Sequence, residues 1–368
     1  MDLPSLISAL AAAAGALITV LRYMQESQKP AEAESPSVNG KFRPLLRWQK
    51  FQTAFLASVI IVGLLMGVVR PLGILQPSEL MSFDRMMRSR PLEQPDPRLL
   101  VVTVNDDDLE YQDQKNMDNR AGSLSDQALQ SLLQKLNPHK PRVIGLDIYH
   151  GFRINPKFSE LGKQLQDNKR LIVTCSVEGT KAPPEIPAEQ QEQRLGFSNI
   201  PIDEDAVIRR QFLGMAMAAD NHCPTQLSFS LQIAQRYLEE EDIAVEQISK
   251  ENLQIGKVIF PKLVSDTGGY HLGEEAKGHQ ILLNYRTLKP DESIAQQISL
   301  TDILKDAQKD RLPSLVNDRI ILIGTTAPRF KDFHKTPYGT EMPGVFIQAH
   351  MVSQIISAVL DPRPLLWW

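Results

Sequence analysis

The chain has little cysteine, and it lacks the spacings that metal sites use. Only two of its 368 residues are cysteines, which is too few for a disulfide framework. We therefore predict that Cys175 and Cys223 are two separate buried side chains, although one disulfide becomes chemically feasible if the domain lies outside the cytoplasm. No Cys-x-x-Cys pair or His-rich spacing indicates a metal site. We expect no cofactor.

The chain also lacks an excess of positive charge. It has 44 acidic and 40 basic residues, a net charge of −4 and an isoelectric point near 6.0. The sequence contains neither a basic cluster nor a nucleic-acid recognition motif. The expected partners therefore include no nucleic acid.

Signatures of common enzyme classes are missing as well. No serine lies in a Gly-x-Ser-x-Gly elbow, and no Gly-x-x-x-x-Gly-Lys phosphate loop is present. Neither cysteine has the basic, histidine-paired setting of a nucleophile, and no spacing defines a catalytic carboxylate pair. We expect a domain without catalysis. An extracytoplasmic α/β enzyme and a dimerising interaction module stay open as alternatives.

Two long apolar stretches are present near the N-terminus. Residues 1–23 contain an uncharged, Ala-rich run of about 19 residues, close to the roughly 20 that a membrane helix needs. This run is a candidate membrane helix, with a signal-like segment or a soluble helix as alternatives. Residues 51–75 are richer in Leu, Val and Ile, and they predict a transmembrane helix more clearly. The alternative for this second stretch is a buried core helix.

The segment between these stretches, residues 24–50, is predicted to be a linker. Its Pro, Glu, Ser and Gln content cannot bury a core, and its Lys and Arg residues favour the cytoplasmic side of a membrane. With this basic linker inside, the helix at 51–75 leads residues 78–366 to the extracytoplasmic side of the plasma membrane. The protein is then single-pass or multi-pass, depending on whether residues 1–23 also cross.

Residues 99–177 alternate between strand and helix patterns. Apolar, β-branched runs predict three strands, and amphipathic spacing predicts two helices between them. The strands are expected at Leu99–Val104, Val143–Tyr149 and Leu171–Val177, and the helices at Leu124–Leu136 and Phe158–Asp167. This β-α-β-α-β order predicts an α/β fold, a mainly parallel sheet with covering helices, preceded by one or two membrane helices.

The remainder of the chain continues this pattern. Residues 179–194 are rich in Pro, Glu and Gln and predict an exposed loop. Later segments predict an outer strand at Val207–Met217, a helix at Leu227–Leu238, a hairpin arm at Leu253–Phe260, a strand at Gln280–Tyr285 and a short helix from Ser299 to Leu304.

The stretch from 317 to 363 organises the chain. A buried strand at Ile320–Ile323 ends at a Gly-Thr-Thr loop, and an amphipathic helix follows at Val345–Leu360. Ligands of α/β proteins bind beyond the carboxyl ends of the strands. We therefore expect this loop to form the wall of any ligand cavity.

Several motifs in a fixed order resemble one known family. They are FDRMMRSRP at 83–91, VIGLDIY at 143–149, GFSNIPIDEDAVIRR at 196–210, QILLNYR at 280–286, IILIGTTAP at 320–328 and PGVFIQAHMVSQIISAVLDPRPLL at 343–366. Together they resemble the extracellular sensory domain called CHASE, of the second type, which is associated with cyclases and histidine kinases. The resemblance covers roughly 78–366.

The resemblance implies a bacterial, often cyanobacterial, membrane receptor. In that family a membrane helix precedes the sensory domain, further membrane helices follow, and then comes a cytoplasmic cyclase or kinase. This chain stops at Trp368, and no output domain is present in it. We therefore expect a cytoplasmic signalling effector, either in trans or in a missing C-terminal region. The expected ligand is a small molecule or a peptide, and a homodimer is a candidate assembly.

The candidate ligand-binding residues follow strands or lie on polar faces. Asp147, at the end of a buried strand, can hold an amine or a cation, and Asp106 likewise follows a strand. The alternative for Asp147 is a helix cap or an ion pair with an arginine. Asp106–Asp108 as a group predict a solvated turn plus one N-cap, with a metal site as the alternative. The other candidates are Gly324, Thr325, Thr326, Asn284, Arg286 and His350. For Gly324, Thr325 and Thr326 the alternative is a tight turn. For Asn284 and Arg286 it is a structural role such as salt bridging, and for His350 it is a buried, hydrogen-bonded histidine.

Overall fold

The structure, a computed structural model, describes most of the chain after the predicted linker. The described residues are 43–64, 67, 70, 73–117, 122–151, 153–177, 183–217, 223–267, 269–271 and 276–366. The candidate membrane helix at 1–23 lies outside them. The chain divides into two compact units, one of residues 1–81 with 266–271 and one of residues 82–265 with 272–368.

The first unit contains helix α1, Arg43–Leu64, and the start of helix α2, Gln76–Arg88. Helix α1 begins inside the predicted linker at 24–50, which corrects that prediction. Pro44 is tolerated in a first turn, and the straight-chain residues after it favour helix. The described range of this helix reaches Leu64, within the membrane helix predicted for 51–75. Among the helices in the described part of the chain, none combines the length and apolarity needed to cross a membrane.

The second unit is built on strands that the apolar runs predicted. In chain order the strands are β1 Leu99–Val104, β2 Val143–Asp147, β3 Leu171–Cys175, β4 Leu195–Phe197, β5 Arg210–Gly214, β6 Val245–Gln247, β7 Asn252–Ile255, β8 Val258–Pro261, β9 His279–Leu282, β10 Gln296–Ser299, β11 Ile320–Thr325, β12 Phe333–Lys335 and β13 Glu341–Pro343. Six of them form one sheet in the order β10-β1-β11-β2-β3-β4. Every pair in this sheet is parallel, which confirms the predicted α/β fold.

The other strands form small antiparallel sheets. Strand β5 pairs with β9. Strands β6, β7 and β8 form a three-stranded sheet, and β12 and β13 form a hairpin. Strands β7 and β8 confirm the predicted hairpin arm. The β12–β13 hairpin was not predicted, because strands of three residues are too short to show an alternating pattern.

The helices pack on both faces of the parallel sheet. After α2 they are α3 Asp106–Gln114, α4 Asp126–Leu136, α5 Ser159–Asp167, α6 Ala188–Arg194, α7 Phe229–Leu238, α8 Leu300–Leu304, α9 Leu312–Val316 and α10 Gly344–Leu360. Strand residues alternate between two cores, since successive side chains point to opposite faces. Leu100 and Val102 join the core that contains residues of α4 and α5, while Leu99 and Val101 join the core that contains α7 and α10. This packing explains why the sheet is apolar on both faces.

Two predicted loop segments are partly helical. The segment 179–194 was predicted to be an exposed loop, but α6 forms its end and Arg194 is buried. The Arg194 guanidinium donates to the Gln166 carbonyl at 2.9 Å, and this long-range contact leaves no trace in the local composition. The turn predicted at Asp106–Asp108 is instead the first turn of α3, capped by Asn105 and Asp108 in a reciprocal capping box.

The two cysteines are joined, which corrects the prediction of separate side chains. Cys175 at the end of β3 forms a disulfide with Cys223, and their Cα atoms are 5.4 Å apart. Both residues are buried. Sequence spacing carries no information about which distant thiols a fold brings together, so the pairing became visible only in the structure.

Candidate functional site

A cavity of about 630 Å³ opens at the carboxyl edge of the parallel sheet. It lies where β2, β3, β4 and β11 end, and the loop before β12 and the first turn of α10 complete its wall. The polar residues of its lining include Asp147, Tyr149, Thr174, Ser198, Thr325, Lys331, Asp332, His334 and Gln348. This position agrees with the prediction that the loop after β11 forms the wall of a ligand cavity.

Asp147 is the last residue of β2, and it is half-buried beside the cavity. In the sheet it is opposite Gly324 of β11. Burial and the nearby charge of Asp332 raise the pKa of the Asp147 carboxyl to about 8. At neutral pH this carboxyl is therefore largely protonated, because loss of the proton would place two negative charges in an enclosed space.

Asp332 enters the cavity wall from the loop before β12. Its Oδ1 contacts His334 Nε2 at 3.1 Å, and its carbonyl accepts a hydrogen bond from the Gly344 amide at 3.0 Å. Glycine is required at 344, because a Cβ atom there would lie 2.5 Å from Asp332 Oδ2. The start of α10 thus packs directly on the Asp332 carboxylate and holds it beside the cavity.

Gln348 is one of several buried polar residues on the mainly apolar helix α10. Its side chain is 3 % exposed, and its Nε2 donates to the Ser198 carbonyl at 3.5 Å. Its Oε1 is buried without a hydrogen-bond partner. Such atoms are uncommon in folded proteins, and each one calls for an explanation.

The hydroxyl groups at the cavity are engaged within the protein. Tyr149 Oη and Ser198 Oγ are 2.7 Å apart. Thr174 Oγ1 and Thr325 Oγ1 donate to backbone carbonyls of neighbouring strands, each at 3.2 Å. Ser198 meets a phenol rather than a basic group, so this pair is not a nucleophile with its general base. The arrangement suits binding by hydrogen bonds and charge.

The structure brings only some of the candidate residues to this cavity. Asp147 and Thr325 line it. Gly324 does not line it, but a Cβ atom at this position would lie 2.5 Å from Val345, so glycine lets α10 begin close to β11. The Thr326 amide donates to the Val104 carbonyl at 2.9 Å, and the loop therefore uses this donor to close the fold rather than to face an anion.

Asp106 lies outside the cavity lining. It occupies the first turn of α3, and its carboxylate forms an exposed ion pair with Arg329 at 2.7 Å. This ion pair was not predicted from the sequence, which favoured a solvated turn. Its exposure makes Asp106 a useful counterpart to Asp147, since each carboxylate lies at the carboxyl end of a strand of the same parallel sheet, β1 or β2, with β11 between them.

Asn284, Arg286 and His350 lie in a different region, near the end of the chain. Asn284 donates to the Pro364 carbonyl at 2.8 Å and accepts from Arg90 at 2.6 Å. Arg286 donates to Ser353 at 3.0 Å, and burial lowers the pKa of its guanidinium. These contacts favour the salt-bridging and hydrogen-bonding alternatives.

His350 is fully enclosed by protein. Its Nδ1 accepts from the Arg286 amide at 3.3 Å, and its ring makes an edge contact with Tyr285. Burial, and then the positive charges of Arg363 and Arg286, lower the pKa of His350 to about 3. It is therefore a neutral histidine over the physiological pH range, as the buried-histidine alternative predicted. It also borders a smaller cavity of about 270 Å³.

Most of the cavity wall was not predicted from the sequence, including Tyr149, Ser198, Asp332 and Gln348. The clearest available signal was Gln348, a polar residue within the apolar pattern of α10. Asp332 had no signal, because its position depends on how the β12–β13 hairpin folds back on the sheet edge.

The alternative of a module that dimerises through its C-terminal helix is not favoured by the geometry. Helix α10 packs into the core that contains Leu99 and Val101, and almost all of its side chains are buried. Its apolar face is therefore used inside the unit.

Comparison with known protein families gives a match over most of the chain. Residues 57–368 match the CHASE2 domain. No curated protein and no solved structure shows a significant match. The family that the sequence motifs predicted is therefore confirmed, and the chain belongs to the CHASE2 family of extracellular sensory domains.

Proposed function

We propose that this chain is the extracytoplasmic ligand-sensing domain of a membrane signalling receptor, and that the cavity at the carboxyl edge of the sheet holds the ligand. The observation that carries the proposal is the cavity itself. Its volume of about 630 Å³ lies within the range of small-molecule sites. It also contains polar groups, Asp147 and Gln348 Oε1, that no described residue satisfies.

The disulfide supports an extracytoplasmic location. The bond between Cys175 and Cys223 persists in oxidising compartments and is rare in the bacterial cytoplasm. The location further rests on the membrane helices predicted at 1–23 and 51–75, which would attach the domain to the plasma membrane.

Helix α10 offers a route from the cavity to the end of the chain. Gln348 lies in its first turns, and just after its last turn Asp361 pairs with Arg98 at 2.7 Å. Arg363 then pairs with Glu93 at 2.7 Å. These ion pairs therefore join the segment before β1 to the segment after α10. A ligand that binds better when α10 is in one position than in another shifts the population of domain conformations. That shift changes the ion pairs between the segments before β1 and after α10.

Output then needs a cytoplasmic signalling effector, either in trans or in a C-terminal region beyond this chain. A homodimer fits such a receptor, because two copies of the flanking segments would respond together.

The ligand site is tested with a mixed small-molecule library and thermal unfolding of the purified full chain. Ile202 borders the cavity and is 48 % exposed, whereas Ile248 is 45 % exposed and lies elsewhere. We expect Ile202→Trp to narrow the cavity and to weaken the rise in Tm that a ligand gives. The matched variant Ile248→Trp should keep the full rise. Ligands whose effect is the same in both variants, or a library without any ligand, would contradict the proposal.

The location is tested with reporters fused after Trp368. An alkaline phosphatase fusion, which is active only outside the cytoplasm, should be active, and a matching fusion to a fluorescent protein that matures only in the cytoplasm should be dark. The opposite pattern would overturn the topology.

A further inference from the structure

Several hydrogen-bond donors at the cavity wall are already used within the protein. Thr174 and Thr325 donate their hydroxyls to backbone carbonyls at 3.2 Å each. The Gln348 amide nitrogen donates to the Ser198 carbonyl. A ligand that brings only acceptors would find few partners at this wall.

Three acceptors are left at the same wall. No described residue donates to the Asp147 carboxyl, and Gln348 Oε1 is buried without a partner on a side chain that is 3 % exposed. Asp332 uses its Oδ1 on His334, while Oδ2 faces the start of α10. Two of the three groups are carboxyls, so the wall favours positive charge as well as N–H donors.

From this arrangement we infer that the cavity binds a small organic ammonium compound, whose N–H groups donate to Asp147, Asp332 and Gln348. The inference rests on the proposed function and names the chemical class of its ligand. The volume of about 630 Å³ suits an organic molecule. A quaternary ammonium group would not serve, because it has no N–H to offer Gln348 Oε1.

The other charged or titratable groups at the cavity also affect how well it binds a cation. His334 contacts Asp332, and Tyr149 shares a hydrogen bond with Ser198. Lys331 contributes a positive charge from an exposed position, where water and salt screen it. A ligand that also carries a carboxylate could turn that group outward to Lys331, so amino acids belong to the class.

Binding of the ammonium group should release a proton. Because burial and Asp332 raise the pKa of Asp147 to about 8, a proton competes with the cation at this carboxyl below that pH. The apparent affinity should therefore rise by up to about tenfold per pH unit between roughly pH 6 and 8, and level off above.

The test measures the Tm of the purified full chain at pH 8 and at pH 6. The probes are ethanolamine, 1,4-diaminobutane and 4-aminobutanoate. At matched ionic strength they are compared with 1,4-butanediol, tetramethylammonium, magnesium chloride and phosphate. The variants are Asp147→Asn and, as the matched control, Asp106→Asn. We expect one or more amines to raise the Tm of wild type and Asp106→Asn at pH 8, with at least tenfold weaker apparent affinity in Asp147→Asn and at pH 6.

A second variant keeps the inference testable if Asp147→Asn does not fold. Gln348→Met removes the acceptor at similar volume and should weaken amine binding severalfold without abolishing it. No shift with any amine, or equal shifts with tetramethylammonium or in Asp147→Asn, would overturn the inference.

The same measurements separate the two proposals. If phosphate, magnesium or the diol raises the Tm and Ile202→Trp removes that rise, the ligand class is wrong while the sensing cavity stands. If amines raise the Tm equally in Ile202→Trp and Ile248→Trp, the cavity itself is not the site.

Discussion

Two groups of buried polar residues in the second unit differ in how completely they are satisfied. At the start of β5, the Arg209 guanidinium binds Asp84 through two bonds of 2.7 and 2.8 Å and also contacts Asp203 and Asp205. At the cavity, Asp147 and Gln348 Oε1 lack such partners. Buried polar groups are normally satisfied within the protein. At the cavity the unpaired Gln348 Oε1 and the Asp147 carboxyl, whose pKa is strongly raised, line the same space, and we expect a ligand there.

The polar residues near the end of the described chain also have hydrogen-bond and ion-pair partners within the protein. Arg363 donates to Glu93 at 2.7 Å and to the carbonyl of Asn284 at 3.0 Å. Asn284, which the sequence nominated as a ligand contact, takes part in these bonds, and the nominated Arg286 donates to Ser353. A polar residue type at a plausible position does not reveal whether the fold has already used it.

The largest effect is expected from breaking the satisfied group. Arg209→Met leaves Asp84 buried without its bidentate partner, and removing one member of a buried ion pair typically costs about 3–5 kcal/mol. Urea unfolding of the full chain measures this cost as a lower midpoint at unchanged slope. A loss below about 1 kcal/mol would mean that the Arg209 ion pairs contribute no more to the free energy of unfolding than the polar groups at the cavity do.

The next effect concerns Asp147 and has the opposite sign. Its folded pKa of about 8 lies above the unfolded value near 3.8, so the native state holds the proton longer. Wild type therefore loses stability as pH rises from about 4 to 8, and Asp147→Asn removes that loss. We expect the variant to be more stable by about 2–4 kcal/mol at pH 7, and nearly equal to wild type at pH 4.

Urea unfolding across this pH range checks the prediction, with Asp106→Asn as the control that should not change the pH dependence in this way. A pH-independent difference between Asp147→Asn and wild type would show that Asp147 does not titrate as described.

His350 should give a smaller effect under acid. Its pKa is about 3 in the folded chain against 6.5 ordinarily, so the unfolded state binds the proton first as pH falls. Its contribution to stability is complete above pH 6.5 and declines toward pH 3. At pH 5 wild type should have lost about 2 kcal/mol more than His350→Asn relative to pH 7. Parallel pH profiles for the two proteins would contradict the buried, neutral state.

The smallest effect is expected at the exposed pair of Arg329 and Asp106. Arg329→Met should change the free energy of unfolding by less than about 1 kcal/mol, because water and salt screen surface ion pairs. The same urea measurement applies, and raising the salt concentration should shrink the difference further. A cost near that of Arg209→Met would remove the distinction between buried and surface pairs.

Local patterns predicted the framework of the sheet well. The runs at Leu99–Val104 and Ile320–Ile323 are strands, and the amphipathic pattern at Val345–Leu360 is helix α10. These predictions succeed because hydrophobic periodicity is a property of neighbouring residues. The capping of α4 by Ser125 was likewise predictable, since a cap is a contact within one turn.

Contacts between distant segments were not predictable in the same way. The disulfide joins residues 48 positions apart, and Asp332 comes close to Asp147 only because the chain folds back after β11. The two wall residues that the sequence identified, Asp147 and Thr325, lie at the ends of strands. Asp332 and Gln348 are instead brought to the wall by a loop and a helix.

By itself the sequence determined the class of fold, the family and the edge of the sheet where a ligand would bind. The family follows from the resemblance of several motifs, while the fold class and the sheet edge follow from short-range order and from which strands end in polar residues. Only the tertiary structure decided which polar groups are used up and which stay open, because satisfaction of a hydrogen bond depends on partners far apart in the chain. That division separates Arg286 and His350, which hold the fold, from Asp147 and Gln348, which face the cavity.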